Sequence, residues 1–315
     1  MKKWIWAVIA AVVVIALGVS AFFLLQPEKP QAVGIIYREP AGEQDRQYRS
    51  SLETAMQNMG FEVLVLDSDR DQAKQLQQIQ RLLDRECRLL ILEPVASDGG
   101  AAMIQALQGS RVPVIFVGRL PEGDLQALNY TYVGHDAAMP GILQESLVQT
   151  LPQGGDLNGD GSVGFAVLTG PEDSVPDMTY LESVKKTLKL GYAHNQLLTT
   201  SSGTDDSAFA RTKAALREFG LDVEVILCAS DALALEAARA AEEFGLVPGR
   251  DVFLISGGTD GAAMDAVKSG TVSGTVVRSQ DNKLALVTEA AEKMLLSQPV
   301  ESVYLMDYVL LTTEK

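Results

Sequence analysis

The sequence is poor in the residues most often used for covalent and acid–base chemistry, with two histidines and two cysteines in 315 residues. His135 and His194 belong to no Ser-His-Asp or HExxH spacing, so neither a nucleophile triad nor a zinc-protease helix can be assembled from them. Cys87 and Cys228 form no C-x-x-C pair. Each adjoins a hydrophobic run, and they read as two buried free thiols rather than a disulfide. Both tryptophans, Trp4 and Trp6, fall at the extreme N-terminus, so the rest of the chain has no indole to stack on a ligand ring. Basic residues are outnumbered, 26 Lys and Arg against 41 Asp and Glu, for a net charge of −15. No basic stripe is present, which excludes nucleic acid as a partner. Adjacent acids such as Asp205-Asp206 read as a solvated face.

What the chain does have is one long apolar run. Residues 4–25, WIWAVIAAVVVIALGVSAFFLL, carry no charge and are long enough to span a bilayer as a helix. Lys2 and Lys3 hold the N-terminus in the cytoplasm and send the remainder outside. The run reads as an uncleaved anchor, with a cleaved signal ending near Val19-Ser20-Ala21 as the alternative. It has no Cys for a lipid anchor. Residues 26–31 form a short polar tether containing proline.

From Val33 onward, short apolar runs alternate with helical stretches. VGIIY (33–37), FEVLVLD (61–67), LLILEP (89–94) and VPVIFVG (112–118) read as strands. Helices are expected near 44–59, 71–85 and 98–108. The rhythm pauses at YTYVGHD (130–136) and restarts with VGFAVLTG (163–170), VEVILCA (223–229), DVFLISGG (251–258) and SGTVVR (273–278) as strands. Helices near 177–190, 205–219, 231–245, 264–270 and 281–297 separate and follow them. Strands of four to seven residues divided by helices indicate βαβ units and a parallel sheet buried on both faces. The fold class expected is α/β in two tandem halves.

The order of VGIIYR, DQAKQLQQIQRLLDR before LLILEP, VPVIFVGR, YVGHD, DLNGDGSVGFAVLTGPE, ASDALALEAARAAEEFG and VKSGTVSGTVV resembles the type I periplasmic binding proteins. The galactose/glucose- and ribose-binding branch is the part of that family it is most similar to, and the resemblance covers nearly all of residues 33–315. It implies two Rossmann-like parallel-sheet lobes joined by three hinge crossovers, near 132–136, 277–280 and 303–309, that close on ligand. The corresponding division is 1–31 as signal or membrane anchor and linker, 32–133 plus 280–305 as the N-terminal lobe, and 136–277 plus 308–315 as the C-terminal lobe. It further implies a small sugar-like ligand, an ABC importer as membrane partner, no enzymatic activity and an extracytoplasmic location. A membrane histidine kinase is the alternative partner, which an uncleaved anchor would suit. A DNA-binding repressor of related fold is excluded by the apolar run where a helix-turn-helix would lie.

Ligands of open parallel sheets bind outside the carboxyl ends of the strands. Arg38, Arg119, Asp177, Ser230, Asp231, Asp260 and Arg278 occupy such positions and are the candidate ligand-binding residues. Guanidinium forks grip carboxylates, phosphates and vicinal diols, so an anionic ligand or acidic sugar would suit the three arginines. Pairing with neighbouring acids, as Arg38 with Glu39, is the structural alternative. Tyr37, Tyr180 and Phe209 are the candidate stacking aromatics. The galactose pattern itself is broken. Its first-lobe Asp falls on Gly42 and its stacking aromatic on Gln44; Gly118 and Arg278 replace its asparagines, and Asp177 lacks its partner arginine.

DLNGDG (156–161) opens like an oxygen-ligand calcium loop, with Asp156, Asn158, Asp160 and Ser162 at alternate positions. An EF-hand would place Glu at position 12, where Val167 stands. By the resemblance, a side-chain oxygen at position 9 and a later glutamate complete the ligand set; here Gly164 occupies the first, and Asn195 or Gln196 was expected at the second. No cofactor is otherwise expected. The alternatives are a structural calcium and an Asx-rich turn with Gly161 at positive φ.

Overall fold

The computed structural model describes residues 31–41, 43–96, 100–172, 174–191, 195–204, 207–257, 263–279 and 282–313. The first sheet is built from β1 (Ala32–Tyr37), β2 (Glu62–Asp67), β3 (Leu89–Leu92), β4 (Val114–Val117), β5 (Tyr130–Gly134) and β11 (Val303–Leu305), in the spatial order β11-β5-β4-β3-β1-β2. The second contains β6 (Val163–Thr169), β7 (Asn195–Ser202), β8 (Val225–Cys228), β9 (Phe253–Ser256), β10 (Gly274–Arg278) and β12 (Tyr308–Thr312), in the order β12-β10-β9-β8-β6-β7. All pairings are parallel except β10 with β12.

Burial explains the apolar runs. Every residue of β1, β3, β4, β6, β8 and β9 is buried, because helices cover both faces of a parallel sheet and leave no polar side. The helices are α1 (Glu43–Asn58), α2 (Gln72–Asp84), α3 (Gly100–Leu107), α4 (Met139–Val148), α5 (Val175–Gly191), α6 (Ala208–Phe219), α7 (Asp231–Phe244), α8 (Met264–Ser269) and α9 (Lys283–Leu295). α2 starts where the Asp71 carboxylate accepts from the Lys74 amide, an N-cap. It then packs so closely on β1 that a Cβ at Gly34 would lie 2.6 Å from Leu82 Cδ1. α7 buries Ala234, Ala237, Ala238 and Ala241, short side chains that let it lie close to its sheet, and ends at Gly245 in the left-handed region.

The chain passes from one sheet to the other three times, between β5 and α4, between β10 and α9, and between β11 and β12, and described residues of these crossings are bonded to one another. The Ser279 amide donates to Asp307 O at 2.8 Å, the Met306 amide to Gly134 O at 2.7 Å, and the Tyr308 hydroxyl to Asp136 O at 2.9 Å. This is the two-lobed, three-crossover α/β architecture expected from the sequence.

Five elements were not foreseen. β5 lies in the stretch where the rhythm paused. α4 was not assigned because Pro140 and Gly141 interrupt its helical pattern, although Pro is tolerated in a first turn. β7, an edge strand of partly exposed polar residues, carries no hydrophobic run. β11 lies within one expected crossover and β12 starts in it, and each is short. Cys87 and Cys228 are buried free thiols. No helix among the described residues is long and apolar enough to cross a membrane; residues 4–25 lie outside them.

Candidate functional site

In each sheet the strand order reverses direction next to the first strand, between β1 and β3 and between β6 and β8. Loops leaving adjacent strands diverge at such a switch point and open a crevice at the carboxyl ends. In the first sheet the crevice is a cleft of about 390 Å³ lined by Arg38, Glu39, Asp45, Arg49, Glu93, Pro94, Val117, Gly118, Arg119, His135, Arg278, Lys283 and Met306. A larger hollow of about 630 Å³ lies between α4 and α5 and is lined by Ala138, Ile142, Glu145, Thr179, Glu182, Ser183, Lys186 and Thr187. It lies on a helical face and includes no strand-end residue, so the smaller polar cleft is the better candidate site.

All three predicted arginines reach this cleft. Arg38 leaves β1, pairs with Glu39 and remains partly exposed. Arg119 follows β4 by way of Gly118, whose φ is +77°, and its guanidinium donates to Val95 O. Burial first, then the neighbouring charges of Arg38 and Arg278, lower the pKa of Arg119. Arg278 closes β10 opposite Tyr308 and hydrogen-bonds its phenol, while its buried Nε has no partner.

The remaining candidates stand in the second lobe. Asp177, in the first turn of α5, accepts from the Gly170 amide at 3.0 Å and from Ser174 Oγ. A Cβ at residue 170 would meet the Asp177 carboxylate at 2.5 Å, so glycine there is a condition of this contact. Ser230 caps α7 by accepting from the Leu233 amide at 3.3 Å. Asp231 is 2% exposed and accepts from Ser256 Oγ, Thr275 Oγ1 and the Ala263 amide. Asp231 thus ties the ends of β9 and β10 to the head of α7, Asp177 holds the turn after β6, and Ser230 caps α7. Asp260 lies outside the described residues, as does His194.

None of the three candidate stacking aromatics offers a free ring face at the cleft. Tyr37 is 1% exposed beneath the Arg49 guanidinium, Tyr180 is buried with its hydroxyl on Gln144, and Phe209 packs under Lys213 and Arg239.

Several lining groups were missed. Glu93 leaves β3 just as Arg38 leaves β1, and the same strand-end rule would have found it had it been applied to acids. Lys283 reaches Glu93 at 3.0 Å from the start of α9, 190 residues away, and no local signal marks it. His135 lies in the first crossover, its ring 5.0 Å from that of Tyr308 and hydrogen-bonded by backbone groups of Ser279 and Asp307. Burial, then the charges of Arg278 and Lys283, depress its pKa to about 3, so it is neutral at pH 7.

The DLNGDG loop precedes β6. Asp156 accepts from the Gly159 and Gly161 amides, Asn158 from the Asp160 amide, and Asp160 from both the amide and hydroxyl of Ser162. The Ser162 bonds hold the Asp160 carboxyl below its ordinary pKa. The glutamate that reaches the loop is Glu224, before β8, and neither Asn195 nor Gln196 stands in its place. Glu224 is 1% exposed and accepts from the amides of Leu157, Asn158 and Gly164. Among the described residues no three His, Cys, Asp or Glu side chains gather as a metal site. The oxygens a calcium ion would use are directed at the loop's own amides.

Comparison with known proteins gives the same architecture. Residues 34–298 match the model of the periplasmic binding protein domain. The ribose import binding protein of Salmonella typhimurium is 25% identical over 260 residues, 79% of each chain. The D-galactose/methyl-galactoside binding periplasmic protein of Haemophilus influenzae is 25% identical over 245 residues, 75% of this chain and 72% of that one. Among solved structures, a periplasmic ribose ABC transporter protein from Conexibacter woesei superposes with a TM-score of 0.77 at 19% identity, covering 90% and 92% of the two chains. The Caulobacter myo-inositol binding protein bound to myo-inositol gives 0.66 at 22% identity, with 92% and 95% covered. With two switch-point crevices, three bonded crossings and a family match over most of its length, this chain belongs to the periplasmic binding protein domain family, whose members bind solutes and are not enzymes.

Proposed function

We propose that this protein is an extracytoplasmic receptor that captures a small sugar-like ligand between its two lobes and delivers it to an ABC permease. The observation that carries the reading is the convergence of Arg38, Arg119 and Arg278, from three different strand ends, on one polar cleft beside the crossovers. A ligand held there touches groups on both sides of the hinge and stabilises the closed arrangement by its differential contacts with it. The relatives named for ribose import and galactose binding support the ligand class and favour a permease over a membrane kinase as the partner. Arginine forks and Glu93 replace the aromatic platform of many sugar sites, which suits a polyol with adjacent hydroxyls. Residues 4–25 would hold the receptor at the membrane.

The DLNGDG loop is, in this reading, a self-supporting Asx turn, and the anion that anchors it is the buried Glu224 carboxylate.

Thermal unfolding of the full-length chain against D-ribose, D-galactose, D-allose, myo-inositol and D-galacturonate tests the function. A ligand present at ~100 times its Kd stabilises the native state by about 2.7 kcal/mol, enough to raise the midpoint by several degrees. At least one of these compounds is expected to do so. A midpoint unmoved by all five would contradict the sugar-receptor reading.

A further inference from the structure

Resting on the receptor reading above, we infer that the ligand is a polyol bearing a negative charge, a carboxylate or a phosphate, and that Arg119 and Arg278 hold that charge. The lining of the cleft contains five cations, Arg38, Arg49, Arg119, Arg278 and Lys283, and three carboxylates, Glu39, Asp45 and Glu93. The whole chain has the opposite balance, −15, so a local positive surplus is a placement and not a consequence of composition.

The surplus falls on two residues. Arg38 is paired with Glu39, Arg49 with Asp67 and Lys283 with Glu93. Glu39 also takes Arg70 from outside the cleft lining, so its charge is shared by two arginines already bonded to it. Asp45 is exposed and pairs with neither remaining cation among the described residues. Arg119 is bonded to a neutral carbonyl, Val95 O, and Arg278 to a neutral phenol, that of Tyr308. Neither meets a carboxylate among the described residues, and the buried Nε of Arg278 has no acceptor at all.

Arg119, exposed at the cleft, and the partly buried Arg278 act on each other as like charges, and neither is bonded to a counter-ion among the described residues. His135 beside them is neutral and adds no further positive charge. A neutral sugar could accept hydrogen bonds from the forks but would leave the repulsion in place. A carboxylate or phosphate accepts the same bonds in a charge-assisted, bidentate geometry and removes it. The nearby acids Glu93 and Glu39 would then face the neutral hydroxyl part of the ligand as acceptors. The ligand thus has an acidic end toward Arg119 and Arg278 and a hydroxylated end toward Glu93.

The test compares matched probes on the full-length chain at constant ionic strength: D-galactose with D-galacturonate, D-ribose with D-ribose 5-phosphate, and inorganic phosphate alone. The acidic member of at least one pair should bind ten times more tightly than its neutral partner or better. Arg278→Gln should weaken the acid at least tenfold and by clearly more than it weakens the neutral partner, and Arg278→Lys should restore part of the difference. The pair that responds identifies carboxylate or phosphate as the source of the charge. Inorganic phosphate should raise the midpoint of the wild type and not of the Arg119→Gln, Arg278→Gln double variant. That variant should itself unfold no lower than the wild type, because it relieves like-charge repulsion. Neutral sugars that bind as well as their acids would overturn the charged-ligand inference and leave the receptor reading standing. A midpoint unmoved by phosphate and both acids would overturn it as well, and silence from the neutral sugars too would remove the receptor reading with it.

Discussion

An arginine at the end of a buried strand has either to find a carboxylate or to wait for one. Arg38 has found Glu39, whereas Arg119 and Arg278 lean on neutral oxygens in the same cleft. Their positions were legible in the sequence, because a strand end is marked by the close of an apolar run and the topology sends every such end to the same side. What was not legible is the use made of the acids. Asp231 looks like a site residue from its place at the head of α7, yet its acceptors are filled by donors 25 and 44 residues away, on β9 and β10. Nothing local announces Ser256 or Thr275 as partners of a carboxylate. His135 provides a prediction at this scale. Its folded pKa of about 3 lies below the ordinary 6.5, so as the pH falls through 6.5 the unfolded chain takes up a proton that the folded one refuses. Stability contributed by the neutral ring is therefore whole above about pH 6.5 and falls as the pH drops toward 3, by at most about 1.4 kcal/mol per pH unit. The unfolding midpoint should decline between about pH 7 and pH 5, and His135→Asn should decline less over that interval. Equal declines in the two proteins would show that the proton goes elsewhere.

Among the elements, the DLNGDG loop shows why a motif read from sequence is incomplete. The alternation of Asp156, Asn158 and Asp160 was visible, but the partner that fixes the loop is Glu224, 60 residues beyond Gly164 along the chain. One buried carboxylate satisfies three amides, two of them at the loop and one at the second residue of β6. Removing it in Glu224→Ala strands those amides, at a cost of about 3 kcal/mol, with the Gly164 amide unable to find water in the core. Chemical denaturation should show that loss, and the wild-type midpoint should be the same in millimolar calcium and in chelator. A midpoint that falls in chelator would make the loop a cation site. The same scale explains the missed elements. Buried strands such as β3 and β4 announce themselves as unbroken apolar runs, whereas β7 lies at a sheet edge and α4 starts through Pro140, so neither presents a clean period.

The whole molecule is two sheets that touch through three bonded crossings, and that connection makes relative motion of the lobes the expected response to ligand. Two of the crossing bonds, Ser279 to Asp307 and Met306 to Gly134, join backbone groups, and only the third uses a side chain, the Tyr308 hydroxyl, so side chains alone say little about where the hinge lies. Its place was implied by the family resemblance. The central claim is that ligand is held between the lobes and draws them together. The most direct measurement is the distance between spin labels on Glu122→Cys and Glu172→Cys, exposed positions in the loops that follow β4 in one sheet and β6 in the other. The native thiols are buried, which directs labelling to the introduced cysteines. Addition of whichever sugar or acidic sugar raises the unfolding midpoint should shorten that distance and narrow its distribution. A ligand that binds and stabilises while the distribution stays as it was would contradict capture between the lobes.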